Sequence, residues 1–230
     1  QRRQTVFAAD ALATLPGVTV AQNGAFGGVG SIRLRGMSAS QTLVLIDGVP
    51  VGDASSPDGA YNPALLDAAD IEDITVLRGP QSTAWGSSAI GGVVAITTRR
   101  PEPGVSARGF LEGGSFGLVR AGAGLGLGGE RFDLRVDAGG LGAEGISKAD
   151  ERDSNTEDDG YDSLSLSGRL GWTVTSAVRL EAFGRRSDVA TEFDSFGFAT
   201  GAADGPERDT TRAEEYGLQG RFAAPDQGFV

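Results

Sequence analysis

The chain has no cysteine and no histidine, and only one methionine, two tryptophans and three tyrosines in 230 residues. Without cysteine there is no disulfide framework and no thiolate metal site; without histidine the commonest general base is missing. No apolar run reaches the ~18 residues of a membrane helix, so any insertion into a bilayer falls to strands, whose mark is alternation and not bulk hydrophobicity. Positive charge is also scarce, with 20 Lys and Arg against 31 Asp and Glu and a formal net charge of -11. The basic residues gather no further than pairs such as Arg99-Arg100 and Arg185-Arg186, which gives no footprint for nucleic acid. Nothing sets a base, a nucleophile and an orienting group at usable spacing, so an enzyme is not expected.

What is plentiful is glycine, 37 residues, and it punctuates two different patterns. Over the first hundred residues, helix and strand signals alternate. Thr5 is placed to cap a helix through Leu15 that Pro16-Gly17 ends, and Asn62-Pro63 to start a second through Asp70. Ser31 to Arg35 alternates, and Thr42 to Val51 is an apolar run broken at Asp47-Gly48, a pair suited to the positive φ angles of a tight hairpin turn. Ile71 to Leu77 reads as a strand. Gly79-Pro80, Gly86 and Gly91-Gly92 then allow tight turns before the β-branched run Val93 to Thr98. The glycines of 24–30 and 86–92 lack the Gly-Lys-Ser/Thr ending of a phosphate loop and read as hinges. Arg33, Arg35 and Arg78 are candidates for ion pairs with carboxylates elsewhere in the protein.

From Val105 the period becomes two. Val119, Ala121, Ala123, Leu125 and Leu127 alternate with small or charged residues, and Phe132, Leu134, Val136 and Ala138 alternate with Asp133, Arg135 and Asp137. Leu164 to Trp172, Val178 to Arg185 and Tyr216 to Phe222 continue the pattern. A soluble sandwich also alternates, but here short connections (Gly128 to Glu130, Thr173 to Ser176, Pro225 to Gly228) alternate with long ones (Gly142 to Asp162, Arg186 to Arg212). That asymmetry belongs to membrane barrels. The expected fold is therefore an α+β domain over 1–103 followed, over 104–230, by antiparallel transmembrane β-barrel strands. About six are complete and a seventh begins at Phe229-Val230. A barrel that encloses such a domain needs ~22 strands, so this one is incomplete. The opening QRRQTVFAADALATLPG has no cleavable signal peptide pattern, and both ends of a longer protein are expected to lie outside the sequence.

Three stretches carry a resemblance: LPGVTVAQNG from Leu15, SIRLRGMSASQTLVLIDGVPV from Ser31 and VLRGPQSTAWGSSAIGGVVAITTRRPEPG from Val76. They resemble the plug of TonB-dependent outer-membrane receptors, and within that family the receptors for cobalamin. The resemblance implies a multi-pass barrel in the outer membrane of a Gram-negative bacterium, in contact with its lipid. It implies ligand capture at the surface, then plug rearrangement driven by TonB of the inner-membrane energising complex, with no chemistry on the ligand. The TonB-binding segment lies upstream of the plug in the family, and nothing at Gln1 matches it, so this stretch alone is not expected to couple.

The resemblance also implies sites. Cobalamin-contacting loop positions correspond to Val29, Ser31, Ser38, Pro57 and Asp58, where Ser38 and Asp58 replace an asparagine and a serine, and the loop Gly52 to Tyr61 is one residue longer than the family pattern. Taken singly, these are also ordinary turn residues. Calcium ligands correspond to Asn155, Glu157, Asp159, Phe193 through its backbone, Asp194 and Asp209, with a further family aspartate falling at Ser147. The acidic loop SKADERDSNTEDDGYD read by itself is a solvated loop without EF-hand spacing, yet its oxygen donors are those Ca2+ takes. An iron siderophore or an oligosaccharide is the alternative cargo, and a passive surface-binding or scaffold protein is the alternative of another class. Trp172, just before a short turn, suits an aromatic girdle, whereas for Trp85 an interface position and core filling both stay open.

Overall fold

A computed structural model describes residues 7–22, 28–145, 160–192, 195–197, 201–203 and 208–223. They divide into two compact units. The first holds 1–99 with 144–161 and 190–210, and the second 100–143, 162–189 and 211–230.

In the first unit, α1 (Ala8–Ala13) begins one residue after Phe7, whose N–H donates to the Asp10 carboxylate at 3.1 Å. Thr5, the expected cap, lies outside the described residues. The helix ends two residues short of Leu15, with the Thr14 hydroxyl donating to the Ala11 carbonyl at 2.7 Å. Strands β1 (Val18–Gln22) and β2 (Gly30–Leu34) pair antiparallel, Val18 opposite Leu34. β2 stops one residue before the expected Arg35, which takes a left-handed φ of 52° and turns the chain. Four further strands make a mixed sheet: β3 (Thr42–Ile46), β4 (Val49–Val51), β5 (Ile71–Arg78) and β6 (Gly92–Thr98), in the order β4-β3-β6-β5. The hairpin at Asp47-Gly48 is as expected, with φ of 53° and 84°. β3 and β6 run parallel, Val44 opposite Val94, and β6 meets β5 antiparallel, Ile96 opposite Ile74. Both faces of the sheet's centre are buried, which explains why these strands read as unbroken apolar runs. Leu12, Leu34, Ile46, Leu66, Val94 and Ile96 form the main core, and Leu45, Ala89 and Val93 a second cluster.

The expected helix over 62–70 is instead two 3-10 turns, Pro63–Leu65 and Ala68–Asp70. Each opens with a side chain that accepts from the backbone two residues on: Asn62 from Ala64 at 3.1 Å and Asp67 from Ala69 at 2.6 Å. Such local bonds compete with helix propagation. The intervening Leu66 is extended, and its carbonyl takes the Ala8 N–H at 3.0 Å. Docking to α1 thus replaces continuation of the helix.

The second pattern is a six-stranded antiparallel sheet. Its strands are β7 (Gly104–Gly113), β8 (Val119–Gly128), β9 (Phe132–Ala143), β10 (Tyr161–Thr175), β11 (Val178–Glu192) and, after a short pair β12 (Ser195–Gly197) and β13 (Gly201–Ala203), β14 (Arg208–Phe222). The spatial order β7-β8-β9-β10-β11-β14 follows the chain. Short turns fall at 129–131 and 176–177, shifted from the expected 128–130 and 173–176 because β10 runs on to Thr175, and the third expected turn, 225–228, lies outside the described residues. The long connections shrink, because β9 to β11 and β14 run on past the last apolar alternation. Serines and ion pairs carry those strand ends, so hydrophobic periodicity alone undercounts them. At 15 residues, β10, β11 and β14 exceed the ~9–11 a bilayer needs. No helix among the described residues is long and apolar enough to cross a membrane, which says nothing against strands doing so. One face of the sheet exposes Val105, Leu125, Val136, Leu166 and Leu218, while the other buries Arg120, Arg135, Asp137, Arg169 and Glu181.

Candidate ligand-binding site

The five cobalamin-contacting candidates all fall on the first unit. Val29 and Ser31 flank Gly30, whose N–H donates to Asn62 Oδ1 at 2.9 Å. The same oxygen caps the turn that follows the loop 52–61, so one buried amide ties the start of β2 to the end of that loop. Pro57 and Asp58 sit in the loop and are exposed. Asp58 accepts from the Ser56 hydroxyl at 2.7 Å and the Ala60 N–H at 3.1 Å. Those two bonds hold its carboxyl below the usual range, with a smaller contribution from Arg33. Pro57 and Asp58 are therefore tied to Asn62 along the chain, and Val29 and Ser31 through the hydrogen bond of the intervening Gly30. Ser38 is not: it lies beyond the other end of β2 at the start of the 3-10 turn Ala39–Gln41, its hydroxyl 3.0 Å from that of Ser40 and its N–H donating to Gln41 at 3.3 Å.

Of the calcium candidates, Ser147, Asn155, Glu157, Asp159, Phe193 and Asp194 lie outside the described residues. Asp209 is described, exposed, at the second position of β14. Among the described residues no three acidic side chains converge into a metal-holding group.

Period-two reading missed the charge network on the buried face of the six-stranded sheet. Arg135 lays its guanidinium along Asp137, Nε to Oδ2 at 2.6 Å and Nη2 to Oδ1 at 2.7 Å, and Arg108 reaches the same carboxylate at 3.0 Å. Space for this comes from β8, which turns Gly122, Gly124 and Gly126 to that face. A Cβ at Gly124 would run into Asp137 Oδ1. Lower on the sheet, Glu181 is met by Arg179 at 2.9 Å, Arg221 at 3.3 Å, Arg100 at 3.4 Å and Arg169 at 3.8 Å. Arg179 also binds Asp133 at 2.6 Å, and Arg100, Asp133, Arg169, Arg179 and Glu181 line a cleft of ≈ 430 Å³. The signal was present: Asp133, Arg135 and Asp137, like Arg179 and Glu181, stand two apart and so share a strand face.

Arg33, Arg35 and Arg78 are exposed and make no ion pair among the described residues. On the sheet's exposed face, Trp172 stacks on Phe132 with ring centroids 5.6 Å apart and planes 10° apart, consistent with a girdle position. Trp85, at the end of α2 (Ser82–Trp85), is 41% exposed and fills no core.

Comparison with known proteins gives this geometry its context. Residues 1–93 match the TonB-dependent receptor plug domain family. Over 91 residues the chain is 48% identical to the vitamin B12 transporter BtuB of Vibrio vulnificus, a stretch covering 40% of this chain and 14% of that protein. Among solved structures, the ferric enterobactin receptor PfeA of Pseudomonas aeruginosa aligns with a TM-score of 0.68 and 21% identity, over 99% of this chain and 38% of its own. The siderophore receptor PirA of Pseudomonas aeruginosa aligns with a TM-score of 0.68 and 25% identity, over 97% of this chain and 36% of its own. The chain thus spans well under half the length of these relatives. Its first 93 residues match the plug of TonB-dependent receptors, its long strands have the fold of a partial, unclosed barrel wall, and the relatives it resembles are barrel proteins of the Gram-negative outer membrane.

Proposed function

We propose that this chain is the plug, over 1–103, and the opening barrel strands, over 104–230, of an outer-membrane transporter that imports cobalamin and is energised through TonB. The observation that carries the cargo assignment is the 48% identity to a vitamin B12 transporter, which falls on the plug. Ligand is captured on the loops bearing Val29, Ser31, Pro57 and Asp58, with Ser38 contributing from its separate turn. Two of these loops share the Asn62 anchor, so a ligand pressing on one is felt at the other. Asn155, Glu157, Asp159, Asp194 and Asp209, with the Phe193 carbonyl, hold Ca2+ and order two anionic loops. This oxygen-only donor set suits a hard cation, in a chain without histidine or cysteine. The matched family is one of receptors, and the protein acts by binding and gating without altering its cargo.

Calorimetric titration of cyanocobalamin into the full-length receptor in detergent, first with calcium and then with a chelator, tests both assignments. Tight binding that weakens on chelation is expected. Binding indifferent to calcium removes the metal assignment alone, and no binding removes cobalamin as cargo. In that event a ferric siderophore is the second reading, favoured by the 25% identity to the siderophore receptor PirA over nearly the whole chain.

A further inference from the structure

Arg99 and Arg100 are neighbours in the chain, yet each is fastened to a different body. The first compact unit runs to Arg99 and the second starts at Arg100. Arg99 donates its N–H to the Asp70 carbonyl at 3.0 Å and its Nε to the Ala69 carbonyl at 2.9 Å. Ile71 at the start of β5 faces Thr98 at the end of β6, so Arg99 carries that pairing one residue further. Arg100 instead sends Nη1 to Glu181 Oε1 at 3.4 Å, on β11 of the second unit. The Glu181 side chain is buried and is itself held by Arg179 at 2.9 Å, which makes it a fixed post.

The residues after Arg100 continue along the second unit. Pro101 and Pro103 each fix φ, and Pro101 also confines Arg100 to extended backbone. Glu102 lays its carbonyl against β8 at Gly128, where a Cβ would run into that oxygen. A Cβ at Gly126 would stand 3.7 Å from Pro101 Cα. The chain is thus hydrogen-bonded into the first unit up to Arg99, and stiff and seated on β8 from Arg100 onward. The rotations left least constrained are ψ of Arg99 and φ of Arg100.

We infer that the Arg99–Arg100 link is the seam at which the plug moves against the barrel wall, with residues 100–103 staying on the wall. The anchoring stands on the geometry alone, and its part in plug rearrangement rests on the transport reading. The first test uses the full-length receptor in detergent. Arg100→Gln is expected to lower by several degrees the temperature at which the barrel loses its heat-modifiable gel mobility, with subtilisin cleavage within the plug unchanged. Arg99→Pro, which removes both bonds to 69 and 70, is expected to speed that cleavage several-fold and leave the barrel temperature alone. A shift of the same readout by both variants, or of neither readout by either, overturns the seam. The second test is a disulfide made by Pro101→Cys with Gly126→Cys, in a stretch with no cysteine of its own. Cyanocobalamin uptake by cells is expected to be equal with the tether oxidised and reduced. Uptake lost on oxidation and regained on reduction overturns the proposal. Failure of wild type to import cobalamin removes the cargo reading instead, and the first test still decides the seam.

Discussion

Asp47 and Thr98 are joined twice: the Asp47 carboxylate accepts from the Thr98 N–H at 3.0 Å and from its hydroxyl at 2.7 Å. Asp47 returns its own N–H to the Ile96 carbonyl at 2.9 Å, so the β3–β4 turn is pinned to the end of β6. Asp47→Ala removes both acceptors at a left-handed position and is expected to cost about 1–3 kcal/mol. Asp47→Asn keeps one acceptor and tolerates the backbone, so it should cost less. Urea denaturation of residues 1–100 reads the difference, and equal losses in the two variants would show that the bonds contribute little.

The two patterns of the chain should also separate physically. Residues 1–100 close their own core and are expected to be soluble and partly ordered. Residues 105–230 carry open strand edges and an exposed apolar face, and are expected to aggregate or remain unfolded in water. Circular dichroism and sedimentation of each piece decide the point. A soluble barrel piece with a cooperative melt contradicts the membrane reading of that face.

Gly92 begins β6 with φ at 140°, where a Cβ would collide with the Leu77 carbonyl oxygen and approach Leu34 Cδ1 to 2.7 Å. Gly92→Ala is therefore strained by conformation and by space together. Its expected cost is about 2–4 kcal/mol, above that of ordinary overpacking. The urea midpoint of residues 1–100 should fall accordingly, and an unchanged midpoint would mean that the strand entry shifts freely.

Glu181 is 3% exposed at its side chain and stands among four arginines. Glu181→Gln leaves those cations facing one another, at a cost below the about 3–5 kcal/mol of a fully buried pair losing one partner, because Arg100 and Arg221 are partly exposed. Unfolding of the full-length receptor in detergent, followed by gel mobility, should show the loss. Glu181→Asp, which keeps the charge on a shorter stem, is expected to recover part of it.

Asp58 supplies a pH dependence with a fixed sign. Its folded carboxyl titrates below the unfolded value of ~3.9 because Ser56 and Ala60 donate to the ionised form. The stabilisation is thus present above that unfolded value and is lost as pH falls through the lower folded one. Carbon-13 NMR of the carboxyl in residues 1–100 should give a midpoint under the ordinary aspartate range, moving up in Ser56→Ala. A midpoint at the ordinary value in both proteins would remove the loop's hydrogen bonds from consideration.

The parts of this architecture that were legible in the sequence are those set by local chemistry. Asp47-Gly48 announces a hairpin because few residue pairs take positive φ twice, and Leu164 to Trp172 announces a strand because one face must be greasy throughout. Residues 62–70 misled because Pro63 is a sound helix start, yet Asn62 and Asp67 spend their side chains on nearby N–H groups and Leu66 docks to α1. The ends of β11 and β14 were hidden because Asp188 pairs with Arg186 along its own strand and with Arg212 across strands, while the segment shows no apolar alternation. The Glu181 cluster draws on segments from Arg100 to Arg221, a convergence that only the folded sheet supplies.

The parallel pairing of β3 with β6 sets the timing of folding as well as the shape of the sheet. Val44 waits for Val94, and β5, made between them, also has β6 as its neighbour. The strand at the centre is thus the last of its sheet to be synthesised. Until Gly92 to Thr98 have left the ribosome, β3 and β5 have no common partner, and the high contact order delays collapse further. The sheet of the first unit therefore stays pliable until its final strand, β6, has been made.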